Sequence, residues 1–236
     1  MGKLAIITAR GGSKRIPKKN IRLFAGKPII EYSIEAALAA GIFDEVMVST
    51  EDEEIAEIAK RAGAKVPFMR SQKTSNDYAT TAEVIREVLK EYSLRGERFE
   101  FACCIYPTAP FITAKRLKDA MNILSDQNSD SVIPVIRFSF PPQRGMVISD
   151  GRIEPKWPEY IKMRSQDLEP FYHDAGQFYC FNVNSFLTQQ TLMMKDTFPI
   201  VLSEMEVQDI DTEEDWLLAE QKYDFLRKSN YYVTIK

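Results

Sequence analysis

Residues 3–20 read KLAIITARGGSKRIPKKN, an apolar run from Leu4 to Thr8 followed at once by glycines and cations. An unbroken apolar strand of this kind is buried on both faces in a parallel sheet, which sets the expectation of an α/β fold. The loop after it, Ala9 to Asn20, carries Gly11, Gly12 and Ser13 together with the cations Arg10, Lys14, Arg15 and Lys18. Glycines let backbone N–H groups approach phosphate oxygens, and cations neutralise charge that the backbone alone does not. The loop reads as the triphosphate site of a nucleotide; the alternative is a basic surface loop, because charge runs are usually solvated. It is not a Walker P-loop, since GGSKR lacks the spaced glycines and the Lys-Ser/Thr pair, and no dinucleotide fingerprint is present.

Working outward, Pro28 and Gly41 bracket a helix over PIIEYSIEAALAAG, and Val46 to Ser49 reads as a second buried strand. Thr50 is expected to cap the helix EDEEIAEIAKRAG, whose acidic first turn suits a helix N-terminus. Lys65 to Phe68 reads as a short third strand. Thr80 or Thr81 caps a helix through Tyr92, Phe99 to Tyr106 forms the next strand, a helix covers about Ala114 to Leu124, and Asp130 to Ile136 is a further strand. This alternation predicts a doubly wound, mostly parallel sheet with ligands at the carboxyl ends of its strands. Across 137–170 the rhythm breaks into a proline- and aromatic-rich excursion with a hairpin turn at Ser149-Asp150-Gly151; it lies either on a partner subunit or over its own domain. The core resumes at Gly176 to Phe181, with a short helix near Ser185 to Gln190 and a strand at Pro199 to Leu202. Thr212 caps a last helix whose apolar face is Trp216, Leu217, Ala219, Tyr223 and Leu226. The final YYVTIK has β-like composition. One α/β domain over 1–236, with the excursion inserted in it, accounts for this order.

A length of 236 residues with 44% hydrophobic residues provides ample core. The net charge of −3 argues against general nucleic-acid binding, so the basic loop is a local feature aimed at a small anion. Three cysteines, two of them adjacent at Cys103 and Cys104, form neither a disulfide framework nor a metal spacing and read as buried thiols. No apolar stretch approaches the ~20 residues of a membrane helix and no signal peptide is evident, so a cytoplasmic location is expected.

Asp209 and Asp211 in QDIDTEED are one residue apart, so an extended backbone projects both carboxylates to one side, a spacing that suits Mg²⁺ bridging two phosphates. The alternative is that Asp211 merely belongs to the helix N-terminus with Thr212. Asp77 in SNDYATT binds a ribose or sugar hydroxyl, or forms an Asx turn. YPTAP places Thr108 on a proline-stiffened loop just after a strand. His173, the only histidine, reads as structural, while Asp174 and Gln177 are candidates to meet hydroxyl or acylamino groups of a polar substrate.

The chain resembles the CMP-nonulosonate cytidylyltransferases over nearly its full length, in IITARGGSKRIPKKN, VSTEDEEIAEIAKRAGAKVPFMR, YPTAP, DAGQFYCF and QDIDTEEDW. The first motif is specific to this group, since the related ketodeoxyoctonate enzymes carry a different loop without GGSK. The resemblance implies transfer of CMP from CTP to the anomeric hydroxyl of a nine-carbon α-keto acid sugar, with release of pyrophosphate. By position it implies that Arg10, Ser13, Lys14 and Lys19 or Asn20 hold CTP, and that Asp209 and Asp211 hold Mg²⁺ and orient or deprotonate the attacking hydroxyl. It also implies a homodimer through the excursion, which offers Arg164 to the partner's sugar carboxylate. Two departures fall on the sugar side. Tyr106 stands where sialic acid synthetases have glutamine, and DAGQFY, with Gln177, replaces NGAFY or NGSFY. In these details the chain is closest to CMP-pseudaminic acid synthetases, so a pseudaminic-type sugar is expected. The alternatives are sialic or legionaminic acid as the sugar, another nucleotidyltransferase activity, or a non-catalytic nucleotide-binding module.

Overall fold

The computed structural model describes residues 2–229, so the YYVTIK stretch lies outside the described residues. In chain order the elements are β1 (Lys3–Thr8), β2 (Leu23–Phe24), β3 (Lys27–Pro28), α1 (Ile29–Ala40), β4 (Glu45–Ser49), α2 (Glu53–Arg61), α3 (Gln72–Ser75), α4 (Thr81–Leu94), β5 (Phe101–Ile105), α5 (Ala114–Asp126) and β6 (Ser131–Arg137). There follow β7 (Met146–Ser149), β8 (Arg152–Pro155), β9 (Tyr172–Asp174), β10 (Phe178–Asn182), α6 (Val183–Gln189), β11 (Thr197–Val201) and α7 (Glu213–Lys228). The main sheet has the order β11-β6-β10-β5-β1-β4, with β9 paired to β6. β4, β1, β5, β6 and β11 run in one direction, and β10 and β9 run against them. The sheet is therefore mostly parallel, as the strand–helix alternation predicts.

Side-chain alternation along the strands explains why both faces are covered. Ala5, Ile7, Val48, Cys103 and Ile105 pack with α1, α2 and α5 on one face, while Leu4, Ile6, Met47, Cys104 and Phe181 pack with α4 and α6 on the other. A third cluster lies beside the sheet and joins distant parts of the chain: Ile16 from the basic loop, Phe24, Ile29, Phe111, Ile210 and Trp216. Phe24 meets Tyr32, Trp216 and Tyr223 edge-on with ring centroids 5.5–5.6 Å apart. Ile16 and Ile210, each 1% exposed, thus anchor the basic loop and the Asp209–Asp211 segment in one apolar body.

Local chemistry sets most element ends. Thr80 and Thr212 form capping boxes with Glu83 and Asp215, and Gly41 closes α1 at φ 61°. Asp150 and Gly151, at φ 50° and 74°, make the hairpin turn between β7 and β8 that the sequence signals. Three expectations are corrected. α2 is capped by Asp52, whose Oδ1 accepts from Glu54 N and Ile55 N, whereas Thr50 instead accepts from Asp52 N. Lys65 to Phe68 makes only one bridge, Met47 to Lys65, because Pro67 has no N–H with which to continue a ladder. Leu217 points outward, 59% exposed, because the buried stripe of α7 follows Trp216, Ala219 and Leu226, and position 217 falls about 100° round the helix from 216.

Candidate active site

A cavity of about 490 Å³ opens at the carboxyl ends of β1 and β5. Its wall includes Arg10, Ser13, Lys14, Lys19 and Asn20 from the basic loop, Arg70, Asp77 and Thr81 from the segment leading into α4, and Tyr106 and Thr108 after β5. This is the edge at which open α/β sheets bind ligands. A groove of about 650 Å³ along α4, lined by Met69, Glu83, Arg86 and Lys90 among others, lies away from the loop.

The loop holds its shape through its own polar groups. Asn20, 5% exposed, donates from Nδ2 to the Arg10 carbonyl at 2.8 Å, and Ser13 N donates to Gly11 O at 3.0 Å. A Cβ at Gly11 would stand 2.5 Å from Asp52 Oδ2 and 3.1 Å from Asp52 Cβ, so a larger residue there would displace the cap of α2, and the Gly11 N–H donates to Glu51 Oε1 at 2.7 Å. The Gly11 amide is therefore spent on the protein, and Gly12 has open space around it. Arg10 Nη1 reaches Asp77 Oδ1 at 2.7 Å, and Lys14 Nζ lies 2.5 Å from Asp77 Oδ2. The Lys14 hydrogen bond, backed by the Arg10 charge, holds the Asp77 carboxyl below the usual carboxylate range.

The same loop reaches the far end of the chain. Arg15 Nη1 lies 2.8 Å from Asp211 Oδ2, Lys19 Nζ lies 3.6 Å from Asp211 Oδ1, and Lys19 also donates to the Ile210 carbonyl at 2.7 Å. Asp211 is thus beside the loop, and Thr212, not Asp211, carries the cap of α7. Asp209 has different neighbours: it is exposed and lines a cavity of about 340 Å³ with His173, Asp174, Glu204 and Lys222. Lys222 Nζ donates to the carbonyls of Glu204 and Val207 and to Gln208 Oε1, which fastens the segment before Asp209. Burial in this position lowers the Lys222 pKa.

On the other side of the cavity, Tyr106 stands at the end of β5. Its hydroxyl is 3.3 Å from Thr81 Oγ1, and its ring meets Tyr179 edge-on at 5.4 Å. Burial raises the pKa of the Tyr106 hydroxyl. Tyr179 donates to Asp174 Oδ2 at 2.7 Å, while Asp174 Oδ1 accepts from Gly176 N at 2.8 Å. Gln177 is 3% exposed and donates its side-chain amide to the Glu206 carbonyl at 2.5 Å, so it braces the turn before Asp209 and does not line the cavity. Arg164, exposed on the excursion, pairs with Asp167 at 2.8 Å within its own turn. His173 packs against Phe138 at 4.7 Å, a structural contact.

The sequence reading missed Arg70. It is 8% exposed, donates from Nε to Ser49 Oγ at 3.1 Å and from Nη2 to Ser49 O at 2.5 Å, and lines the cavity at the end of β4. A lone arginine in VPFMRSQ has no periodic signal; only a buried cation beside a strand end marks it.

A basic loop between the first strand and helix of a mostly parallel sheet, facing a carboxylate from the far end of the chain, is suited to a nucleotide's phosphates, and the family matched here makes the protein a nucleotidyltransferase. The family model for cytidylyltransferases matches residues 4–156. The pseudaminic acid cytidylyltransferase of Campylobacter jejuni is 40% identical over 224 residues, which cover 94% of this chain and 97% of that protein. The CMP-N,N'-diacetyllegionaminic acid synthase of Legionella pneumophila is 31% identical, covering 92% of this chain and 94% of that protein. A solved structure of CMP:2-keto-3-deoxy-manno-octonic acid synthetase complexed with CTP shares the fold, with a TM-score of 0.67 at 17% identity over 97% of this chain and 100% of that chain. The chain belongs to the cytidylyltransferase family.

Proposed function

We propose that the protein transfers CMP from CTP to the anomeric hydroxyl of a nine-carbon α-keto acid sugar, pseudaminic acid, and releases pyrophosphate. The observation that carries this reading is the convergence of Arg10, Lys14, Lys19 and Arg70 on one cavity beside Asp211. The choice of sugar is supported by the greater similarity to the pseudaminic acid enzyme and by Tyr106 on the sugar side.

The step is an in-line displacement: the sugar oxygen bonds to the α-phosphorus, the bond to the β-phosphate oxygen breaks, and the hydroxyl proton leaves to a base. Positioning and charge stabilisation supply most of the rate in such transfers. Arg10 and Lys14 would stabilise the departing pyrophosphate, with Ser13 and Lys19 holding the phosphates and Asn20 holding Arg10 in place. Asp211 would orient the hydroxyl and accept its proton, while Tyr106, Thr108 and Asp174 would face the sugar, with Asp209 in the cavity beside Asp174. Among the described residues no cluster of three or more acidic, histidine or cysteine side chains could hold a metal. One or two carboxylates completed by substrate oxygens and water is nonetheless the donor set that Mg²⁺ takes. Asp211, beside the loop, would hold it, and when bound it supplies charge neutralisation at the phosphates, whereas Asp209 lines the separate cavity with His173.

Pyrophosphate release tests the reading, with each of CTP, UTP, GTP and ATP against pseudaminic, legionaminic and sialic acids in the presence of Mg²⁺. The expected result is turnover with CTP and a preference for pseudaminic acid of about tenfold or more, the scale on which a pocket discriminates related substrates. Preference for sialic acid would remove the role given to Tyr106, and no release with any pair would make the protein a nucleotide-binding module.

We further propose a homodimer formed through the excursion. β7 and β8 expose Met146, Ile148 and Ile153 at 58%, 79% and 66%, and Phe140, on the same excursion, is 62% exposed, a concentration of apolar surface that soluble chains cover. Ile148 and Ile153 are directly paired across the hairpin, so they present one face. Light scattering is expected to give a dimer for the wild type and a monomer for Ile148→Asp/Ile153→Asp; a monomeric wild type would end this part of the proposal. No helix among the described residues is long and apolar enough to cross a membrane. The three buried free cysteines accord with a reducing cytoplasm, where we place the reaction.

A further inference from the structure

Asp77 stands between two of the cations that the reading above assigns to the triphosphate. One of its oxygens takes Arg10 and the other takes Lys14, at 2.7 and 2.5 Å, and all three side chains line the same cavity. Two oxygens on one centre, each accepting from a different cation, is the pattern a phosphate group offers to the same pair. The carboxylate is not built into the core. It lies in the turn between α3 and α4, where Asn76 Oδ1 accepts from Tyr78 N at 2.8 Å and from Ala79 N at 3.1 Å, and the neighbouring Tyr78 is 93% exposed. The side chains of Asp77, Arg10 and Lys14 are themselves 39%, 39% and 80% exposed, so separating them uncovers little apolar surface.

We infer that Asp77 is an internal counter-ion: in the free protein it keeps Arg10 and Lys14 converged on one point, and the triphosphate displaces it. The inference rests on the loop being the triphosphate site. It assigns Asp77 a role through the two cations, as a positioning residue, in place of a direct contact to a ribose or sugar hydroxyl. Two effects follow. A nucleotide must break both pairs before it makes its own, so the carboxylate competes with the ligand. Without the carboxylate the two cations repel one another in the free protein, and a bound phosphate group relieves that repulsion.

The competition gives a sign that damage to the protein does not produce. Calorimetric titration of Asp77→Asn with CTP, and separately with inorganic pyrophosphate, is expected to show binding about threefold to tenfold tighter than wild type, the scale of exposed ion pairs. Its KM for CTP is expected to fall in the same direction as the dissociation constant. Asp77→Glu, which keeps the charge, is expected to bind CTP like the wild type. Unchanged or weaker binding by folded Asp77→Asn overturns the inference, and Asp77→Ser gives the same reading if the asparagine variant does not fold. Arg10→Ala in the same titration separates the two levels. If it loses affinity and Asp77→Asn gains none, only the counter-ion role fails; if it binds as tightly as wild type, the triphosphate reading of the loop fails.

Discussion

Asp211→Ala is expected to lower kcat by about 10²–10³-fold, equivalent to ~3–4 kcal/mol of transition-state stabilisation, with CTP affinity much less affected. The carboxylate is placed by apolar packing on one side and charge on the other. Ile210, 1% exposed, fixes the backbone, while Arg15 and Lys19 meet the two oxygens. Those pairs are partly solvated, so their loss changes stability little, and the melting temperature is expected to stay near that of the wild type. Arg10, Lys14 and Arg70 remain to bind the nucleotide, which is why the effect falls on kcat. Asp211→Asn keeps the size of the side chain and removes the charge, and the same loss is expected there if charge is what matters. Steady-state pyrophosphate release across a Mg²⁺ titration, with calorimetric CTP binding, checks both. Near-normal turnover by a folded Asp211→Ala would remove the carboxylate from the reaction and leave it as a partner of Arg15.

What the sequence disclosed was mostly what short-range chemistry decides. The strand before the basic loop, the capping threonines at 80 and 212, and the Asp150-Gly151 turn each follow from residues within a few positions of one another. β10 was legible as a strand but not in its direction, because FYCF has the same composition whether it runs with its neighbours or, as here, antiparallel between β5 and β6. Gln177 looked like a substrate contact because polar residues at strand ends often are. Its burial depends on the Glu206 carbonyl, 29 residues away, which no local pattern reveals. Arg70 and the clamp of Lys222 on residues 204–208 were hidden for the same reason: both act on backbone carbonyls, which carry no sequence signature. The paired aspartates were found by spacing, yet spacing did not show that Asp211 faces the basic loop while Asp209 faces His173 and Lys222.

Arg10→Ala is expected to reduce turnover by about 10³-fold or more, the scale of an arginine that stabilises charge on a transferring phosphoryl group. Arg10 follows β1 directly, and its carbonyl is tied by Asn20, so the backbone that aims it persists in the variant. Its side chain is 39% exposed and its partner Asp77 is equally exposed, so the variant is expected to fold and melt like the wild type. Arg10→Lys restores the charge without the planar fork that grips two oxygens at once, and only partial recovery is expected from it. This difference between alanine and lysine separates a general need for positive charge, which Lys14 and Lys19 would partly meet, from a need for the guanidinium itself. Single-turnover pyrophosphate release with saturating CTP makes the comparison independent of nucleotide affinity. A folded, active Arg10→Ala would return residues 9–20 to the alternative of a solvated basic loop, and the convergence of that loop with Asp211 would then have only a structural meaning.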